Sequence, residues 1–246
     1  MEYDFNEELS SQFKERIAAV NESISECCKA SGRSLQDVTL IGVSKVFPVE
    51  CAEAAFCNGI ENLGENKVQE LVPKFERFQE LGLNAKWHLI GTLQKNKVKY
   101  IIGKTHLVHS VNTIDLAEEI SKRSVNNSIV TDILIQANVS GEESKHGFLN
   151  DEIESAVMTI DSLPGVRVRG LMTMAPIQSY EGEARKVFED TRLLFDRLKA
   201  NISDKDSFDT LSMGMSQDYK YAIAEGATHI RIGTAIFGDR SKLLGL

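Results

Sequence analysis

The sequence predicts an α/β protein that folds as one (β/α)8 TIM barrel, and three observations support this prediction. Eight apolar segments alternate with segments of helical periodicity along the 246 residues. Several of the apolar segments are continuous runs, as at residues 133–135, which is typical of parallel strands covered on both faces. Eight strands separated by helices match the count of a closed barrel, and the length suits a single domain over residues 1–246.

A doubly wound open sheet is the structural alternative. Such sheets usually have fewer strands, and no G-x-G-x-x-G motif follows the first predicted strand. The chain also shows no linker, no low-complexity segment and no shift in composition. We therefore expect one domain with a barrel architecture.

The elements follow from the spacing of apolar residues. An extra helix is expected before the first strand, because apolar residues recur there every three or four positions, at Leu9, Phe13, Ile17, Val20 and Ile24. The predicted strands span residues 38–45, 60–64, 87–91, 106–111, 131–139, 166–174, 209–213 and 229–233. Helical segments are expected near residues 49–59, 65–80, 94–103, 113–126, 149–162, 181–200 and 216–226.

Composition excludes several classes of protein. The chain has 28 Lys and Arg against 36 Asp and Glu, a formal net charge of −8, which argues against a general binder of nucleic acid or anionic membranes. No apolar run approaches the roughly 18 residues of a membrane span, and the acidic N-terminus does not resemble a secretory signal. The four cysteines form no C-x-x-C pair, so we expect reduced thiols in a cytoplasmic protein and no metal site.

Lys45 ends the first predicted strand. On position alone, it is as readily a surface lysine whose amine simply reaches solvent at the barrel rim. Two features favour a functional role: barrel active sites assemble where the strands end, and Pro48 keeps the following loop short and fixed. A lysine amine at this face can attack an aldehyde and form a Schiff base.

Two loops rich in glycine and serine predict a phosphate cup on the same face. Ser212 lies near the end of the seventh predicted strand, with Gly214 and Ser216 directly after it, and Gly233 ends the eighth, before Thr234 at the start of a short helix. The loops after strands 7 and 8 of such barrels commonly hold a phosphate, with backbone N–H groups as donors. The alternative is a pair of turns that serve only the fold. Together with Lys45, the cup suggests a phosphorylated aldehyde as ligand.

Arg231 lies between Ile230 and Ile232 in the eighth predicted strand and therefore points to the opposite face of the sheet. A buried arginine needs a partner. That partner is either a carboxylate, such as Glu65 or Asp218, or a ring nitrogen of a bound cofactor.

Three further features are less specific. Asn66 either reaches the site or caps the next helix, and His88 is expected to be a core histidine with its hydrogen bonds satisfied. The lysines at positions 95, 97, 99 and 104 are expected to form a solvated face.

With these motifs assembled, the chain resembles the pyridoxal phosphate homeostasis proteins, the YggS/PROSC family. The shared motifs are V-S-K at residues 43–45, G-E-N at 64–66, V-Q-E at 68–70, W-H at 87–88, I-G at 90–91, L-Q at 93–94, G-L-M at 170–172, L-S-M-G-M-S at 211–216 and R-I-G-T-A-I-F-G at 231–238. They run in order from the first strand to the last helix. The resemblance implies a single-domain barrel of the alanine racemase N-terminal type, a fold type III barrel that binds pyridoxal 5′-phosphate (PLP).

The resemblance also implies roles for individual residues. Lys45 would hold PLP as a Schiff base, and Arg231 would face the pyridine nitrogen. The phosphate contacts would be Ser212, Gly233 and Thr234, and Asn66 would be a further pocket contact. Two departures from the family pattern are Val46-Phe47 after the lysine, where a Thr is frequent, and His146, where a Ser is common. They leave open a secondary PLP site near Lys145.

The function that the resemblance implies is to bind and store PLP and to pass it to PLP-dependent apo-enzymes, as a cytoplasmic monomer without robust turnover. A small PLP-dependent racemase is the alternative, but a racemase needs an acid/base group on each face of the substrate carbon. In the related racemases the second group comes from a further domain, and only residues 235–246 follow the last strand here. A barrel that forms a Schiff base directly with a sugar phosphate, as class I aldolases do, is a third possibility.

Overall fold

The computed structural model describes residues 7–141, 146–176 and 181–239. Eight parallel strands pair in chain order, and the last strand returns to pair with the first, which closes the barrel. The strands are β1 (Thr39–Val43), β2 (Asn62–Glu65), β3 (Lys86–Leu89), β4 (Leu107–Val111), β5 (Thr131–Gln136), β6 (Val166–Met172), β7 (Thr210–Met215) and β8 (His229–Ile232). This topology confirms the predicted (β/α)8 fold.

Helices connect the strands and cover the barrel. The α-helices are α1 (Glu7–Ala30), α2 (Val49–Cys57), α3 (Val68–Glu80), α4 (Ile114–Asn126), α5 (Ile153–Asp161), α6 (Glu181–Lys199), α7 (Tyr219–Ala224) and α8 (Thr234–Phe237). The predicted stripe on α1 is confirmed, with Phe13, Ile17, Val20 and Ile24 buried and Leu9 partly buried against the core. Helix α6 likewise buries one face, formed by Val187, Thr191, Leu194 and Leu198. Within the described ranges, no helix is both long and apolar enough to cross a membrane.

The segment between β3 and β4 differs from the prediction. An α-helix was expected near residues 94–103, but the chain forms a 3₁₀ helix over Lys95–Tyr100. Only Val98 of that helix is buried. A segment without an apolar stripe to pack gains little from the tertiary contacts that stabilise most α-helices in proteins.

The N-terminal helix braces the part of the barrel where the chain closes. Helix α1 packs against α2, α7 and α8 on the outside of the barrel. The ring of Phe13 meets the ring of Phe237 edge-on, with 5.4 Å between their centres, and Phe47 also packs on Phe237 at 5.5 Å. These contacts fix the short helix α8, whose first residue is Thr234.

Candidate functional site

A cavity of about 490 Å³ opens at the carboxyl ends of the strands, which is the face where barrel sites assemble. We call it the mouth cavity; its polar lining residues include Lys45, Asn66, Ser216, Asp218, Arg231 and Thr234. Its volume falls within the range of small-molecule pockets. Of the predicted site residues, Lys45, Asn66, Arg231, Gly233 and Thr234 all line this one cavity.

Lys45 lies in a tight turn rather than in the strand. Strand β1 ends at Val43, and the N–H of Phe47 donates to the carbonyl of Ser44 at 3.1 Å to close the turn. Val46 adopts a left-handed backbone conformation with φ of +64°. A β-branched residue rarely adopts this conformation, and such strain persists only where the surroundings enforce it.

Two glutamates hold the turn on either side of Lys45. The N–H of Val46 donates to Oε2 of Glu70 at 2.6 Å, and the hydroxyl of Ser44 donates to Oε1 of Glu65 at 2.6 Å. Ser44 is fully buried, whereas Lys45 is exposed toward the cavity. The turn therefore presents the lysine amine while its two neighbours are anchored.

A buried ion pair lies beneath this turn. The Nζ atom of Lys74 is 2.6 Å from Oε1 of Glu65 and donates to the carbonyl of Ser44 at 2.8 Å. Burial raises the pKa of Glu65, and the charge of Lys74 opposes that rise. Glu65 was one of the two carboxylates considered as a partner for Arg231; its partners are instead Lys74 and Ser44.

Arg231 reaches the floor of the mouth cavity from β8. Its Nη1 donates to the hydroxyl oxygen of Ser212 at 2.5 Å, and its Nη2 donates to the carbonyl of Thr173 at 2.9 Å. Burial lowers the pKa of Arg231 to about 10, against the attraction of Asp218, so the guanidinium stays protonated at neutral pH. Both hydrogen bonds go to neutral oxygens, so neither Glu65 nor Asp218, the two carboxylates considered as partners, accepts a hydrogen bond from Arg231.

Ser212 lies below the cavity rather than at its rim. Its side chain is fully buried, and its hydroxyl oxygen lies 2.5 Å from Nη1 of Arg231 and 3.0 Å from Nδ1 of His109. Ser212 was expected to contact the phosphate, but its hydroxyl is instead bonded to Arg231 and His109. Ser216, which the same loop brings to the cavity, takes the expected rim position.

The rim beside the end of β1, where β8 pairs with it, offers backbone donors. Helix α8 begins at Thr234, directly after Gly233, and the first N–H groups of a helix have no acceptor within the helix. The N–H of Gly233 lies 3.4 Å from the hydroxyl oxygen of Ser216. Gly214 serves the fold here: its φ is +93°, and a Cβ at this position would lie 2.6 Å from the Cβ of Ala222.

Asn66 and the lysine-rich segment take definite positions in the structure. Asn66 lines the cavity, and the position that caps α3 is occupied by Lys67, so the capping role for Asn66 is wrong. The lysine-rich segment is a solvated face, as predicted, with Lys95 and Lys104 paired to acidic side chains at 3.0 and 2.6 Å. Lys145 lies outside the described residues.

Among the residues described, no group of three or more potential ligands could hold a metal ion.

His88 is a core histidine with both ring nitrogens bonded, which confirms that prediction. The residues that sequence reasoning missed are Glu70 and His109. Glu70 lies within a recognised motif, but nothing in the sequence indicates its bond to Val46, because the two residues lie 24 positions apart. His109 stands in an apolar strand, and its contact with Ser212 spans 103 positions.

Comparisons of the sequence with known proteins agree with one another on the family that the chain is similar to. The sequence model of the family described as alanine racemase, N-terminal domain, matches residues 32–241. The chain is 42% identical over 226 residues to the pyridoxal phosphate homeostasis protein of Aquifex aeolicus, covering 92% of this chain and 97% of that protein. It is 37% identical over 225 residues to the pyridoxal phosphate homeostasis protein of Escherichia coli, covering 91% and 95%.

Among solved structures, the chain is similar to PipY of Synechococcus elongatus with PLP bound. The TM-score is 0.79 and the sequence identity 29%, over 92% of this chain and all of that chain (100%). The similarity therefore extends over nearly the whole chain in both sequence and structure.

Proposed function

We propose, from the premise that this chain belongs to the family of the pyridoxal phosphate homeostasis proteins, that it binds PLP covalently on Lys45 and acts in PLP homeostasis. The observation that supports this proposal is the meeting of Lys45, Arg231 and the backbone donors at Gly233 and Thr234 in one cavity. PLP carries an aldehyde, a pyridine nitrogen and a phosphate. The mouth cavity offers one kind of group for each of these.

The residues present fit PLP on their own chemistry. The neutral amine of Lys45 would hold the aldehyde as a Schiff base, its nitrogen bonding to the aldehyde carbon while the aldehyde oxygen leaves as water with both amine protons. The protonated guanidinium of Arg231 has donors to spare for a ring nitrogen, because it has five N–H groups and its bonds to Ser212 and Thr173 use two of them. The rim at Ser216, Gly233 and Thr234 supplies N–H and hydroxyl donors for the phosphate.

We further propose that the protein carries PLP without robust turnover. PLP supplies an electron sink for a substrate carbanion, and the sink is strongest when the ring nitrogen is protonated. Arg231 donates hydrogen bonds but does not give up a proton at neutral pH, because its pKa is about 10. A ring nitrogen beside it stays unprotonated, which supports a carrier over a catalyst.

The covalent attachment is tested by the visible absorption spectrum of the purified protein mixed with PLP. We expect a yellow Schiff-base band in the wild type that is absent from Lys45→Ala. Lys97→Ala, which removes a lysine outside the mouth cavity, is the matched control and should keep the band. A wild type without a band, or a band that survives in Lys45→Ala, would overturn the assignment.

The absence of robust turnover is tested by exchange of the Cα proton of alanine in deuterated water. We expect exchange no faster with the PLP-loaded protein than with free PLP. Exchange that depends on Lys45 would favour the racemase alternative. The cavity also contains Tyr221 and Asp218, so Tyr221→Phe and Asp218→Asn would then identify the opposing group.

The remaining parts of the proposal concern the cellular setting. We infer that the barrel domain over residues 1–246 acts as a monomer, because a carrier of PLP needs no second acid/base group from outside the barrel. The four cysteines are free, which suits the reducing cytoplasm. PLP-dependent apo-enzymes would be the recipients. Sedimentation of the PLP-loaded protein tests the monomer, and activation of a PLP-dependent apo-enzyme mixed with it tests the transfer.

A further inference from the structure

A chain of buried hydrogen bonds runs through the barrel interior and ends at Arg231. Asn62 Oδ1 lies 3.0 Å from His88 Nε2, and His88 Nδ1 lies 2.9 Å from His109 Nε2. His109 Nδ1 lies 3.0 Å from the hydroxyl oxygen of Ser212, which accepts from Arg231 at 2.5 Å. The four residues that precede Arg231 in this series come from four different strands, β2, β3, β4 and β7. None of the four lines the mouth cavity, so the series meets the cavity at Arg231.

The two ends of this chain allow a single direction of donation. A guanidinium can only donate, so Ser212 accepts from Arg231 and directs its own proton to Nδ1 of His109. His109 then carries its proton on Nε2 and donates to Nδ1 of His88. His88 carries its proton on Nε2 and donates to the amide oxygen of Asn62, which can only accept. Each nitrogen therefore has one partner and one role.

This arrangement requires both histidines to be neutral. A further proton on Nδ1 of His88 would set two N–H groups against each other, and one on Nδ1 of His109 would reverse its bond to Ser212 and turn the hydroxyl proton away. Both side chains are fully buried, and burial lowers the pKa of each well below its ordinary value. The positive or titratable groups around the pair lower these pKa values further: His106, His229, Lys86 and Arg231.

We propose that His88 and His109 are positioning residues of the PLP site, because with Ser212 they form a one-directional relay that orients Arg231. This inference rests on the proposed function. The relay orients the Ser212 hydroxyl so that a lone pair points toward Arg231. Because this acceptor is neutral, it fixes the guanidinium without neutralising the positive charge that faces the cavity. In a low-dielectric interior, such a preset donor costs no rearrangement when a ring nitrogen arrives.

The first test addresses the relay itself and needs no PLP. Long-range ¹H–¹⁵N correlation spectra of the labelled protein at neutral pH report which nitrogen of each histidine is protonated. We expect His88 and His109 both to be neutral with the proton on Nε2. A proton on Nδ1 of either ring, or an imidazolium at either position, would overturn the relay.

The second test addresses the effect on PLP. His109→Phe keeps a ring of similar size but leaves the Ser212 hydroxyl without its acceptor. We expect a shifted visible band and PLP binding weaker by about tenfold, the loss of roughly one hydrogen bond to a charged group. His229→Phe is the matched control, since His229 lies 6.4 Å from His109 between ring centres but takes no part in the relay. It should stay within about twofold of the wild type.

The outcomes separate this inference from the proposed function. A His109→Phe protein that binds PLP and absorbs as the wild type does would overturn the positioning role and leave the attachment to Lys45 intact. A wild type without a band would overturn both. If His109→Phe does not fold, Ser212→Ala removes a single hydroxyl from the same relay. It should give the same shift of the band, and an unmoved band would again overturn the inference.

Discussion

The backbone N–H of Val46 donates to the Oε2 atom of Glu70 at 2.6 Å, although Val46 is a β-branched residue in a left-handed conformation. This bond ties the residue after Lys45 to helix α3. A charged acceptor makes it one of the stronger hydrogen bonds in the molecule. The presentation of the lysine amine therefore depends on a glutamate from another element.

Glu70→Ala removes this bond, and we expect two consequences. The free energy of unfolding should fall by about 0.5–1.5 kcal/mol, because a hydrogen bond to a carboxylate is lost at an exposed site. The Schiff-base band should also form more slowly, since the turn no longer holds Lys45 in one orientation. Stopped-flow absorption after mixing with PLP measures the rate.

Two variants serve as comparisons. Glu70→Gln keeps an acceptor oxygen and should retain most of the rate. Glu80→Ala removes a glutamate of the same helix whose partner is Arg77, and it should behave as the wild type does. A Glu70→Ala protein with an unchanged rate would show that the bond has no role in presenting the lysine.

Val46→Gly should raise stability, which is unusual for a change to glycine. Relief of the left-handed strain is worth about 1–3 kcal/mol, and the greater freedom of glycine in the unfolded chain costs about 0.5–1 kcal/mol. The valine side chain is 46% exposed, so little burial is lost. We expect the free energy of unfolding in urea to rise by about 1 kcal/mol.

The matched control for this change is Val130→Gly. Val130 is also an exposed valine, at 60%, but it is not among the residues with positive φ. It should lose stability through the entropy of glycine alone, by about 0.5–1 kcal/mol. If both variants lose stability equally, the turn at Val46 is not strained.

Lys74→Met should be strongly destabilising. It leaves the carboxylate of Glu65 buried without its cation, which typically costs about 3–5 kcal/mol. Adding Glu65→Met should recover much of that loss, because no buried charge remains. Chemical denaturation of the single and double variants measures both effects.

An exposed ion pair provides the reference for this prediction. Lys86 and Glu61 lie 3.8 Å apart with side chains at least half exposed, and Lys86→Met should change the free energy of unfolding by less than about 1 kcal/mol. A loss for Lys74→Met as small as that for Lys86→Met would contradict the burial of the Lys74–Glu65 pair.

Stability should fall as the pH drops below about 6.5, and His229 is one source. Burial lowers the pKa of His229 to about 4, so the unfolded chain binds a proton that the folded chain does not between pH 6.5 and 4. Stability from this group is complete above pH 6.5 and is lost progressively toward pH 4. The full window is worth about 3 kcal/mol.

Denaturation of the wild type and of His229→Gln from pH 7 to 5 measures this contribution. The variant should show the shallower decline, because one half-buried histidine that is neutral in the folded state is gone. Lys97→Ala, outside the barrel interior, should follow the wild type. Parallel curves for wild type and His229→Gln would show that His229 titrates alike in both states.

Much of the site could be predicted from the sequence because several of its residues are placed by their position at or next to the end of a strand. Lys45, Gly233 and Thr234 each follow a strand directly, so the barrel topology alone brings them to one face. Arg231 alternates with Ile230 and Ile232, and the alternation of side chains along a strand was enough to place it on the opposite face of the sheet from them. These predictions needed no knowledge of the partners.

The sequence by itself determined the barrel, because apolar periodicity records which faces of each element are buried. Only the tertiary structure decided that Ser212, inside β7, bonds to Arg231 and that Ser216, just after the strand, lies at the rim, since both are serines of one short glycine-containing stretch of sequence. It also decided that Glu65 pairs with Lys74 and that His109 bonds to Ser212. Hydrogen bonds between residues far apart in the sequence depend on strand register and on closure of the barrel. Neither of these can be read from the spacing of apolar residues along the sequence.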